Sequence, residues 1–156
     1  KGMPVYLTPL GQKATAALDE SWARLTDNAR PVPHEFTVQG RILSVPRSAK
    51  GVARFSFAEL CEQPLGAADY LEIARRYHTL VLDGVPSMGP DKRNEARRFA
   101  TLVDALYEAK TKLIIAAAGP PAALYPKGDG AFEFERTESR LIEMQSADYL
   151  ALPHIS

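Results

Sequence analysis

The order of apolar runs between Ala67 and Ala118 constrains this chain more than any other feature. AADYLEIARRY (Ala67–Tyr77) places Tyr70, Leu71, Ala74 and Tyr77 on one helical face and leads into the unbroken apolar run TLVL (Thr79–Leu82). Asp91–Ala109 then carries Phe99, Leu102, Val103 and Leu106 as a helical stripe, and KLIIAAA (Lys112–Ala118) is a second unbroken run. Short apolar runs without polar alternation mark strands buried on both faces. Helix, buried strand, helix, buried strand is the pattern of a parallel α/β unit, because each crossover lays a helix on the sheet.

The flanks add to this unit. Thr8–Pro9 supplies an N-cap and a first-turn proline, and Leu10, Ala14, Ala17, Leu18, Trp22 and Leu25 follow at helical spacing to a stop near Asp27–Asn28. Ala29–Glu35 (ARPVPHE) holds two prolines and reads as a loop. Glu35–Val45 alternates and reads as two short strands or one bent at Gly40; Pro46–Gly51 reads as a turn and Val52–Phe57 as a further strand, together an antiparallel hairpin. Ser56-Phe-Ala-Glu59 is a capping box opening a short helix. Beyond the second buried run, Gly119-Pro-Pro stops the strand, Ala131–Glu135 (AFEFE) alternates like a short strand, and one or two helices close the chain.

The expected fold is therefore α/β: a small, mostly parallel sheet flanked by helices, with a β-hairpin near the N-terminal side. We expect one domain over 1–156, divided into a helical segment (1–28), the hairpin (35–57) and the α/β unit (58–150). A chain of 156 residues that is 46% hydrophobic can bury such a core.

Charge and cysteine content exclude several functions. Lysine plus arginine equals aspartate plus glutamate at 19 each, which gives no broad field for nucleic acid or anionic lipid. The single cysteine, Cys61, permits neither an internal disulfide nor a thiolate metal cage and suits a reducing, cytoplasmic setting. No apolar run approaches the roughly 18 residues a membrane span needs. His34, His78 and His154 lack metal-ligand spacing, and there is no Gly-x-Ser-x-Gly elbow. We expect no metal and no cofactor bound by these residues alone. The abrupt N-terminus reads as mid-domain sequence, so the chain is expected to be a piece of a longer one.

Few residues remain as site candidates. Asp83 ends the first buried run, at the sheet edge where ligands gather in parallel α/β folds, but a strand-end aspartate also serves as a turn former. The dipeptide Gly-Lys occurs nowhere, so no P-loop is present to wrap a phosphate. Arg97 and Arg98 lie together on the Asp91–Ala109 helix. They form either a solvated face paired with Asp104 and Glu108 or an offering to a phosphate or carboxylate on another domain. Arg136 and Arg140, one turn apart among glutamates, are either a salt-bridged helix start or sensor or interface arginines.

Several blocks in order (ARRF, LVDALYE, KLIIAAA, FERTESRL, EMQSADYL) resemble the C-terminal part of the ZapE-type ATPases, relatives of the mitochondrial AFG-one-like ATPases within the AAA+ P-loop class. VYLTPLG, ALDESW and VQGRILSV resemble the middle of the same family, so the likeness covers nearly the whole chain. The resemblance implies a regulatory or coupling region whose ATP- and magnesium-binding core lies upstream. Its implied partners are that core, further copies in a homo-oligomer, and a protein client such as the division machinery; no membrane or nucleic acid partner is expected. On this view the catalytic residues lie elsewhere, and Arg97, Arg98, Arg136 and Arg140 are the nucleotide-sensing or interface candidates. The alternative is a module that binds the client and takes no part in hydrolysis.

The family's Walker B strand ends in Asp-Glu and is followed by a helix, a buried strand, Asn-x-Pro-Pro and Leu-Tyr. Here Leu80–Asp83 precedes a helix, KLIIAAAGPP and Ala123–Tyr125, with Gly84 in place of the glutamate and Gly119 in place of the asparagine. Either the region is a decayed internal copy of the ATPase half or two α/β units have converged. A copy requires Asp83 and Gly119 to follow adjacent parallel strands.

Overall fold

A computed structural model describes residues 4–156 and contains one six-stranded sheet with helices on both faces. The elements in chain order are β1 (Tyr6–Leu7), α1 (Gln12–Thr26), β2 (Val32–Val38), β3 (Arg41–Ala49), β4 (Val52–Ser56), α2 (Phe57–Cys61) and α3 (Ala67–Arg76), followed by β5 (Thr79–Val85), α4 (Arg93–Ala109), β6 (Lys112–Ala117), α5 (Ala131–Glu143) and α6 (Ala147–Leu150). Across the sheet the order is β1-β6-β5-β4-β3-β2. The first four strands in that order are mutually parallel, and β4-β3-β2 form an antiparallel meander at the other side. The α/β architecture with its mostly parallel sheet and hairpin is as expected.

Each two-residue turn of the meander has both residues at positive φ: Gln39–Gly40 (51° and 77°) and Lys50–Gly51 (54° and 78°). Paired left-handed residues match the twist of the strands they join. The alternating Glu35–Val45 run is therefore two strands, and the expected turn at Pro46–Gly51 shrinks to Lys50–Gly51. β2 also begins earlier than expected, inside the proline-bearing ARPVPHE stretch. As the outermost strand of the sheet, β2 tolerates Pro33 without loss of a ladder bond.

The two faces are unequal. Leu80 and Leu82 of β5 point to one side with Phe55 of β4 and Ile115 of β6, under α2, α3, α4 and α5; Val81, Val52 and Ile114 point to the other, where α1 covers them with Ala14 and Leu18. Connections that move across the sheet in opposite directions thus carry their helices on opposite faces, as a single crossover hand requires. α1 begins at Gln12, three residues after Pro9, because Gly11 at φ 147° breaks the helical backbone; it ends on left-handed Asp27 and Asn28.

Polar bonds fix the joints. Ser56 and Glu59 form the expected capping box on α2. Buried Asp69 accepts on both carboxylate oxygens from one terminal nitrogen of Arg41, at 2.9 Å each, and caps α3 by accepting from the Gly66 N–H, which ties the meander to the helical layer. Ala131–Glu135, expected as a strand, is the first turn of α5. Its buried residues Phe134, Thr137 and Leu141 recur at three and four, a helical period that outweighs the local alternation of AFEFE.

β5 and β6 are adjacent and parallel, the arrangement a decayed copy requires. Their register slips by one residue between Leu82 and Val85, where Gly84 sits at φ 75°. Asp83 therefore lies at a bulge two residues short of the strand's end, a correction to its placement as a strand-end residue.

Candidate functional site

The burial of α4 sorts its side chains. Ala96, Phe99, Leu102, Val103 and Leu106 face the core, which leaves Arg93, Arg97, Thr101 and Asp104 along the outer side at helical spacing. α5 packs beside α4 through Phe134, whose ring stacks on Phe99 with centroids 6.2 Å apart. Between the two helices runs a groove of about 430 Å³ lined by Arg93, Arg97, Asp104, Asp129, Glu133 and Arg136 among others.

Asp104 organises the groove. Its two oxygens accept from Arg136 at 2.8 Å and from Arg140 at 2.5 Å. The Arg140 guanidinium also lies 4.5 Å from the centroid of the Tyr107 ring. The Tyr107 hydroxyl is bound to both oxygens of Glu143 at 2.9 Å, and that hydrogen bond pushes the phenol above its ordinary value. Arg93 reaches Asp129 at 3.4 Å. Arg97 is exposed and has no ion pair among the described residues. The expected pairing of Arg97 with Asp104 does not form, because α5 delivers two arginines to that carboxylate first.

The four candidate arginines thus separate. Arg97 and Arg136 line the groove, Arg140 lies outside its lining and binds the groove's Asp104, and Arg98 points away to donate to the Cys61 carbonyl at 3.0 Å. Neighbours on a helix diverge by about 100°, so Arg97 and Arg98 could not share a task. The groove also contains Arg93 and Asp129, which the sequence reading passed over. Phe132 stands 78% exposed on α5 near the same lip.

Asp83 opens into a second cleft, on the α1 side of the sheet, together with Asp19, Trp22, Arg47 and Arg54. Gly119 follows β6 and accepts the Tyr6 hydroxyl at 2.7 Å through its carbonyl, which binds the edge strand to that corner. The histidines are structural: His78 bridges Thr79 and the Lys50 carbonyl, His154 bonds the Ala74 carbonyl, and His34 lies beside Phe36. No group of three His, Cys, Asp or Glu side chains suited to a metal occurs among the described residues. No helix in that range is long and apolar enough to cross a membrane.

A family model described as AFG1-like ATPase matches residues 1–153. The chain is 35% identical to Lactation elevated protein 1 homolog B of Danio rerio over 174 aligned positions, covering 90% of this chain and 34% of that protein. It is 34% identical over 152 residues to Cell division protein ZapE of Escherichia coli K12, covering 97% of this chain and 40% of that protein. The chain therefore spans well under half the length of these curated relatives. No solved structure matches it.

Proposed function

The chain belongs to the AFG1-like ATPase family, and from that premise we propose that it couples ATP hydrolysis to work on a protein client. In this reading a P-loop core outside these residues binds ATP and magnesium and performs hydrolysis, in the cytoplasm. The α4–α5 groove meets that core, or a neighbouring copy, and transmits its nucleotide state.

The observation that carries the proposal is Arg97. It is exposed beside Arg136, on a helix rigidly packed into the core, with no ion pair of its own among the described residues. An unpaired guanidinium on a packed helix suits a carboxylate or phosphate from another surface. The name of the Escherichia coli relative suggests a client in the division apparatus. Arg97→Ala, placed in a polypeptide that carries both the P-loop core and this region, tests the proposal with two readouts: ATP turnover and client binding.

A second reading is favoured by α5, where Phe132 and Ile142 are 78% and 61% exposed. Aromatic side chains, phenylalanine included, and arginine are enriched at protein interfaces. Here the region only holds the client, and Phe132→Ala removes client binding while leaving turnover intact.

A further inference from the structure

We propose that the cleft between α1 and the C-terminal ends of β4 and β5 takes an arginine or lysine side chain of a partner polypeptide, with Trp22 and Asp83 as its recognition groups. This surface is separate from the α4–α5 groove and does not depend on it.

The cleft measures about 600 Å³ and lies at the carboxyl edge of the parallel strands, where Ser56 of β4 pairs in register with Asp83 of β5. That edge is where open α/β sheets gather their ligands. Two irregularities shape it. The β2–β3 register slips around Pro46, between the Val32↔Ser48 and His34↔Val45 pairs. Leu43 and Val45 face the helical layer, whereas Arg47 pairs with Arg54 on the α1 side. The second slip, at Gly84, sits beside Asp83. Bulges re-aim side chains, and both of these lie at the walls of one cleft.

Its charges do not balance. Arg54 is committed to Asp19 at 2.8 Å and Arg47 to Glu59 at 2.7 Å. Asp83, half-buried, has no ion pair among the described residues. With both guanidiniums neutralised, the cleft keeps one uncompensated negative charge, which favours a cation and repels an anion. Trp22, half-buried on α1, supplies an indole for that cation, and Ala23 and Pro31 supply apolar wall for the alkyl stem behind it. An aromatic ring, an apolar wall and one unpaired carboxylate together describe a socket for a guanidinium or ammonium on a flexible stem.

Trp22 is the chain's one tryptophan, so its fluorescence reports on the cleft directly. The test titrates the chain with a blocked peptide of alternating glycine and arginine, and in parallel with its lysine and glutamate counterparts. The expected result is a saturable Trp22 signal with the arginine and lysine peptides, none with glutamate, and binding weakened at least fivefold in Asp83→Asn. Should Asp83→Asn fail to fold, NMR on the unaltered chain decides: shifts must fall on the Trp22 indole N–H and the Asp83 and Gly84 amides. No saturable signal, equal binding by Asp83→Asn, equal binding of the glutamate peptide, or shifts confined elsewhere would overturn the proposal.

Discussion

Arg140 of α5 donates to Asp104 of α4 in a contact only 22% and 31% exposed on its two sides, and this contact holds the two helices of the groove together. Arg136 reaches the same carboxylate from a side chain that is 66% exposed. Solvent screens the second far more than the first. Arg140→Ala is expected to cost about 1–2 kcal/mol in urea unfolding and Arg136→Ala no more than about 0.5 kcal/mol. Equal costs would show that burial does not rank the pair.

Two glycines separate backbone strain from steric collision. Gly51 and Gly84 share a left-handed φ, 78° and 75°. A β-carbon on Gly84 would meet no atom within 4 Å, whereas one on Gly51 would lie 2.6 Å from the His78 ring. Gly84→Ala is expected to cost about 1–2 kcal/mol, from φ alone. Gly51→Ala should cost measurably more, and adding His78→Ala should recover part of the excess in a double-mutant cycle. The same geometry bears on the choice between a decayed copy and convergence. Gly84→Glu places an acid where the Walker B pattern has its glutamate, at a backbone that disfavours it, and ATP turnover should not appear in the chain.

Alkaline pH should destabilise the domain progressively from about pH 9 upward. Burial raises the Cys61 thiol above its ordinary value of 9.0, with Arg98 opposing, and burial likewise raises Tyr6, Tyr70 and Tyr149 above 10.0. A group whose folded pKa is raised lends stability that is complete below its unfolded pKa and is lost as pH climbs toward the folded one. Above pH 9 the unfolded chain sheds the thiol proton while the native state keeps it, so stability falls with rising pH. Unfolding curves between pH 9 and 10 should show a slope shallower by about 1 kcal/mol per pH unit in Cys61→Ala. Cys61 should also resist thiol reagents at pH 8 until denaturant is added. Ready labelling of the native chain would contradict its burial.

Long periodic and unbroken apolar segments could be read from the residues, and short or context-dependent ones could not. β5, β6, α3 and α4 carry enough core side chains to declare themselves. β1, of two residues, has no pattern to read and is defined by its pairing with Ile115 and Ala116 of β6. The start of α5 was hidden because AFEFE alternates over five residues; only the spacing on to Thr137 and Leu141 reveals the helix. In the groove, Arg97 was visible as a charge, but its freedom depends on Asp104 being taken by α5, a tertiary fact. Arg98 could have been set aside from sequence, since it shares the helix with Arg97 but not its face. Arg93 could have been found four residues before Arg97. The cleft at Asp83 draws on α1, β3, β4 and β5, and no local pattern announces a site assembled from four elements.

The most direct test of coupling is the ATP turnover of Arg97→Ala, measured with client binding in a polypeptide carrying both the P-loop core and this region. An arginine that completes a contact with the core should lower kcat by about tenfold or more, equivalent to about 1.4 kcal/mol or more of lost transition-state stabilisation. Client affinity should stay within about twofold, the scatter of a neutral surface change. Unchanged turnover with lost client binding would contradict the coupling role and leave the groove as a docking surface alone.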